Sequence, residues 1–146
     1  MPVIVIGADT AAGEAILQGL DEPDREIRVF VTDEDFGFRM KKRGFKVAMG
    51  DVSDESHIEA ATTSCFTAIL VGEAATDDRE RAFLNDPEEV MAAWARASSS
   101  SGVTRVIWVT GDEPPKTTTR EVTKVDPADP NFVSRIVELD DAQVIS

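Results

Sequence analysis

Apolar residues along this chain follow two rhythms. The first is a set of short runs rich in β-branched residues: VIVI from Val3 to Ile6, IRVFVT from Ile27 to Thr32, TAILV from Thr67 to Val71 and RVIWVT from Arg105 to Thr110. Such runs are apolar on both faces, as strands inside a parallel sheet must be. Lys46 to Met49 and Glu121 to Val125 are shorter or more polar strand candidates. The second rhythm has the helical period. Thr10 to Leu20 places Ala12, Ile16, Leu17 and Leu20 on one stripe. Asp35 to Arg43 reads as a short basic helix stopped by Gly44. Ser53 to Thr62 reads as a helix capped by Ser53, with Asp54 and Glu55 in its first turn. Pro87 to Ser98 carries Val90, Met91, Trp94 and Ala97 on one stripe, and Ser98 to Gly102 reads as the turn after it. Pro130 to Val144 reads as a last helix with Asp129 as its cap. Glu73 to Asp86 is polar and reads as a loop with a partial helix; Asp112 to Thr119 reads as a loop.

Strand and helix alternate from end to end, without a linker or an internal repeat. That pattern predicts an α/β fold: one domain over residues 1–146, doubly wound, with a mainly parallel sheet of five to six strands and helices on both faces. In such folds a ligand lies at the carboxyl ends of the strands, beside the point where strand order reverses. The residues to read for function are therefore those that follow each strand.

After the first strand comes GADTAAG. Gly7 permits a sharp turn, and Gly13 permits close helix–strand packing. A phosphate would rest on the amides around Thr10, Ala11 and Ala12, at the positive end of the helix dipole. The middle position, where a glycine would admit a pyrophosphate, holds Asp9, Thr10 and Ala11 instead, and Asp9 and Glu14 add negative charge there. After the second strand, Asp33 stands twenty residues beyond Gly13. That spacing suits a carboxylate accepting hydrogen bonds from an adenosine ribose, and it favours NAD over NADP, whose 2′-phosphate it would repel. The basic run Arg39, Lys41, Lys42 and Arg43 stands as the counter-argument, with a solvated helix face as its alternative reading. After the third strand, Gly50, Asp51 and Val52 could meet an adenine: a carboxylate for the amino group and the next amide for a ring nitrogen. A plain helix-start carboxylate is the alternative. After the fourth strand, Gly72 would let backbone approach a ligand. After the fifth, Thr110 could offer a hydroxyl, or serve only its turn.

Composition narrows the function classes. The net charge of −13 argues against nucleic acid or an anionic membrane surface as partner. The hydrophobic fraction of 42% is that of a globular chain. The single cysteine, Cys65, enters an apolar run and reads as a buried structural thiol in a reducing, cytoplasmic setting. No apolar stretch is long enough for a membrane span. The single His57 has no histidine or cysteine near it to make a metal site, and the carboxylates are dispersed, so no metal ligands and no catalytic pair are assigned. The apolar last helix could close the sheet or form a two-fold contact, which leaves a homodimer open.

The segments VIVIGADTAAG, VFVTD, GFKVAMGDVSDESHIEAA, TAILVGEAA and MAAWARASSSSGVTRVIWVTG together resemble the NAD(P)-binding Rossmann domain of the atypical and extended short-chain dehydrogenase/reductases. The resemblance runs from Val3 to about Gly111. It implies the fold, a dinucleotide cofactor, and an adenine-contacting role for MGDVSD. Reductases of that family use a tyrosine with a lysine four residues on, and often a serine after the fifth strand. This chain has no tyrosine, and Thr110 stands where the serine would be. A weaker resemblance links the chain to nucleotide-sensing domains that regulate potassium transport. Three readings follow. The first is an NAD(P)-binding regulatory module with no hydride transfer of its own. The second is an atypical oxidoreductase that relies on cofactor positioning. The third is an interaction protein that keeps the fold and binds no cofactor.

Overall fold

In a computed structural model, described over residues 1–145, six strands form one sheet: β1 (Val3–Ile6), β2 (Ile27–Val31), β3 (Lys46–Met49), β4 (Thr67–Val71), β5 (Arg105–Val109) and β6 (Glu121–Val125). Every pairing is parallel and the order is β3-β2-β1-β4-β5-β6. Val3 of β1 pairs with Ile27 on one side and Thr67 on the other. Strand order reverses between β1 and β4, which is the doubly wound Rossmann arrangement and puts the switch point at the end of β1.

The most apolar strands become the central ones because both of their faces are covered. β1, β4 and β5 are buried along their whole length. Alternation then sends side chains to two cores. Val3, Val5, Val29, Ile69 and Ile107 pack with α1 (Ala11–Leu20), α2 (Glu34–Lys42) and α6 (Phe132–Asp141). Ile4, Ile6, Phe30, Leu70 and Trp108 pack with α3 (Glu55–Thr62) and α5 (Pro87–Ser101), while the short α4 (Glu73–Thr76) buries Ala74 and Ala75 in the same cluster. The edge strands β3 and β6 are the partly exposed ones. Cys65 is buried in the second cluster, and burial pushes its thiol pKa up, as befits a structural residue.

Four local expectations are corrected. Asp54, not Ser53, caps α3 by accepting from the His57 amide; Ser53 is buried and bonds to Asp51 instead. The serine run Ser98 to Ser101 is the last turn of α5, because Ser98 is buried and the helix ends only at Gly102, in the left-handed region at φ +80°. The last helix covers Phe132–Asp141 and not Pro130 to Val144, and its N-cap position is Asn131, with no side-chain cap. Asp129 makes a local turn by accepting from the Asn131 amide.

The last helix closes the sheet within this chain. Val133 and Val137 lie against Gly19 of α1, and Ile136 and Leu139 are buried. Beneath it the fully buried Arg105 donates to the Leu139 carbonyl at 2.6 Å and to Glu121 at 3.0 Å, while the Ile145 amide donates to the same Glu121 carboxylate.

Candidate functional site

The turn after β1 is held by its own side chains. Gly7 has φ +84°, and a Cβ there would stand 2.8 Å from the Ala74 Cβ, so α4 presses directly on the turn. Thr10 is buried and caps α1: its hydroxyl accepts from the Gly13 amide at 2.9 Å and donates to the Gly7 carbonyl at 2.8 Å. A Cβ on Gly13 would overlap the Gly7 carbonyl oxygen and come within 2.8 Å of Ala8 Cα. Both glycines are therefore required by packing.

Asp9 is engaged by groups outside its own turn. It turns toward the end of β2, where one carboxylate oxygen accepts from the Thr32 amide at 2.8 Å and the Asp33 amide at 3.0 Å. The other accepts from Arg79 Nη1 at 3.0 Å, and the Asp9 side chain is only 5% exposed. Ala11 is exposed and Ala12 half-buried at the N-terminus of α1. A carboxylate already stands there: Glu73 Oε1 lies 3.5 Å from the Ala12 amide, a long hydrogen bond.

Asp33 lies at the end of β2, exposed, and caps α2 by accepting from the Asp35 amide at 2.9 Å and the Phe36 amide at 3.3 Å with Oδ1. After β3, Gly50 donates its amide to the Val31 carbonyl, and a Cβ there would overlap the His57 ring, which also packs edge-on against Phe30 at 5.0 Å. Asp51 accepts from the Ser53 amide at 2.8 Å, the Ser53 hydroxyl at 2.7 Å and the Ala82 amide at 2.7 Å. Burial raises its pKa, but those donors and the nearby Arg81 outweigh burial and hold the carboxyl below its ordinary value. Val52 is buried, and its carbonyl accepts from Trp94 Nε1 at 2.8 Å. Gly72, after β4, donates its amide to the Val109 carbonyl at 2.9 Å. Thr110 is buried and its hydroxyl accepts from the Asp112 amide.

The stretch from Asp77 to Asn85 links α4 to α5 and runs over the ends of β2 and β3. Arg79 donates to Asp9, to Thr32 Oγ1 at 3.1 Å and, bidentately, to Asp77. Arg81 donates to the Ala74 carbonyl and to Asp77. The Ala82 amide meets Asp51, and the Phe83 amide meets Ser53 Oγ at 3.1 Å. Asp77 is pushed up by burial and pulled down more strongly by Arg79, so it stays ionised; Arg79 is pushed down by burial and raised more strongly by Asp77 and Asp9. Sequence reasoning missed Glu73, Arg79, Arg81 and Ala82. Their position directly after β4 was the only signal, since nothing local distinguishes these arginines from solvated ones.

Between this stretch and the strand ends lies a cleft of about 740 Å³ that includes Thr32, Glu34, Gly50, Asp51, Arg79 and Glu80 in its wall. Its size suits part of a small-molecule cofactor. The α2 cations do not line it: Arg43 pairs with Asp21, and Arg39 lies over Phe36. Among the described residues no cluster of three or more His, Cys, Asp or Glu could hold a metal, and no helix is long and apolar enough to cross a membrane.

No protein-family model and no curated protein matches this sequence. Solved structures do. Triphenylmethane reductase from Citrobacter sp., complexed with NADP(H), aligns over 75% of this chain and 37% of its own with a TM-score of 0.62 and 16% identity. NADPH-dependent quinone oxidoreductase QOR2 from Escherichia coli, complexed with NADPH, aligns over 74% of this chain and 36% of its own, with a TM-score of 0.61 and 15% identity. A short-chain dehydrogenase/reductase from Veillonella parvula aligns over 75% and 46%, with a TM-score of 0.56 and 16% identity. The chain spans less than half the length of each of these three proteins. The likeness establishes the Rossmann-type fold inferred from the sequence.

Proposed function

We propose that this chain binds a nicotinamide adenine dinucleotide at the ends of β1 to β4 and serves as the cofactor-holding part of an oxidoreductase. The observation that carries the reading is the cleft at the carboxyl ends of β2 and β3, whose wall residues Thr32 and Arg79 are joined to the neighbouring β1 turn through Asp9. The N-terminus of α1 is suited to an anion, since the Ala12 amide already faces the Glu73 carboxylate. On this reading the Ala11 and Ala12 amides receive the diphosphate, Asp33 the ribose hydroxyls, and Gly50, Asp51 and Val52 the adenine. When bound, the dinucleotide supplies the hydride. Arg79 and Arg81 in the cleft wall are engaged by Asp9 and Asp77, so the carboxylates Asp33, Glu34, Asp51 and Glu80 around it disfavour a further phosphate, which supports NAD(H) over NADP(H).

The structural neighbours named for reductase activity favour this oxidoreductase reading over a module with no chemistry of its own. Acceptors that take hydride with little proton transfer need mainly orientation. The second reading, a sensing module, is supported by the composition: no tyrosine is present to act as general acid.

A thermal-shift titration with NAD+, NADH, NADP+ and NADPH tests the proposal. A ligand at about a hundred times its Kd adds about 2.7 kcal/mol. NADH is expected to give the largest shift, diminished by Asp33→Ala; no shift with any of the four rejects dinucleotide binding. Oxidation of NADH with a quinone panel then separates enzyme from sensor.

A further inference from the structure

The stretch between α4 and α5 has no regular structure from Asp77 to Asp86, and most of it is exposed. Phe83, its largest apolar side chain, is 64% exposed, and only Leu84 packs on the core. Apolar burial therefore contributes little to holding it. Polar links do that work, and two of them end on groups in the cleft wall, Thr32 and Asp51. Arg79 reaches Asp9 and Thr32, the Ala82 amide reaches Asp51, and the Phe83 amide reaches Ser53. At the head of the same connection, Glu73 puts its carboxylate at the α1 amide.

We propose that the Asp77–Asn85 connection is a displaceable internal strap that occupies part of the dinucleotide crevice and, with the Glu73 side chain at its head, must move aside for the ligand to bind. The inference rests on the dinucleotide reading above. A diphosphate at the α1 N-terminus would displace the Glu73 carboxylate, because two anions would then compete for the Ala12 amide. An adenine approaching Asp51 meets a carboxylate already engaged by the strap. Binding is thus coupled to strap opening, and apparent affinity is reduced by the fraction of molecules whose strap is open. Arg79 is the latch. Its removal leaves Asp9 with its two backbone donors, Thr32 and Asp33, so the turn beneath keeps its support.

The test combines amide exchange at Ala82 and Phe83 with calorimetric titration of NADH, on the wild type, Arg79→Ala and Glu73→Gln. Arg79→Ala is expected to exchange both amides about tenfold faster and to bind NADH about tenfold more tightly. Glu73→Gln is expected to bind more tightly with exchange little changed. In the wild type, saturating NADH is expected to speed exchange at Ala82 and Phe83. Slower exchange with NADH, or equal or weaker NADH binding by both variants, overturns the strap while leaving the dinucleotide reading in place. No binding by any of the three chains overturns both.

Discussion

Arg79 and Asp9, 70 positions apart, form an ion pair of 3.0 Å across the end of β2, with both side chains at least nine-tenths buried. Asp9 thereby joins three elements: the β1 turn that carries it, the β2 end whose two amides it accepts, and the connection after α4. A carboxylate that looks hostile to a phosphate in the sequence is taken up by two backbone amides and an arginine.

Asp9→Asn is expected to cost more stability than Arg79→Ala. The amide keeps one acceptor oxygen for the Thr32 and Asp33 amides but loses the charge and the second acceptor. A loss of about 1–3 kcal/mol is expected for Asp9→Asn. Urea unfolding of both variants checks the order; a larger loss for Arg79→Ala would mean that the connection, and not the turn, depends on the pair.

Trp94→Phe is expected to lower stability by about 2–4 kcal/mol, because it removes buried ring volume and leaves the Val52 carbonyl without its donor. The same bond fixes the loop that carries Asp51, so weaker NADH binding should accompany the loss. Denaturation and titration of one sample measure both; a change below about 0.5 kcal/mol would refute the anchoring role.

Gly13→Ala is expected to destabilise by about 3 kcal/mol or more, since the new methyl meets backbone that can yield only if α1 lifts off β1. A thermal melt unchanged within a degree would contradict that packing.

Acid should loosen the two ends of the sheet by the same logic. Glu121 is raised by burial, but the Ile145 amide and Arg105 lower it more, so its folded pKa lies below the ordinary 4.5. Asp51 and Asp77 likewise lie below their ordinary 3.8. The stability from these three is fully present above those ordinary values and is lost as pH falls through the lower, folded ones. Asp140 runs the other way: burial raises its pKa, with Arg25 opposing, so its contribution favours the protonated form and is lost as pH rises through the raised value. Unfolding free energy across pH 2–6 (a range chosen about the ordinary carboxylate values) should fall toward acid, and less steeply in Glu121→Gln. Equal slopes in both proteins would refute the assignment for Glu121.

Much of the fold was legible because strand and helix periods are local properties. β1 and β4 lie where the apolar runs predicted them, and β3 and β6 where the shorter or more polar candidates stood. The errors fall where tertiary contact overrides a local rule. Ser53 had the chemistry of a cap but was drawn into the Asp51 cluster, and Ser98, polar in type, is buried on α5.

The sequence by itself determined the alternation that makes a parallel sheet, the two glycines on which the β1 turn closes, and the strand ends at which to look. Only the tertiary structure decided what those ends hold. Arg79 for Asp9, Ala82 for Asp51 and Glu73 for Ala12 all come from a polar stretch with no period of its own. Such a stretch declares its contacts only when the chain brings it back over the sheet, because hydrogen bonds and ion pairs depend on position in space and not on spacing along the chain.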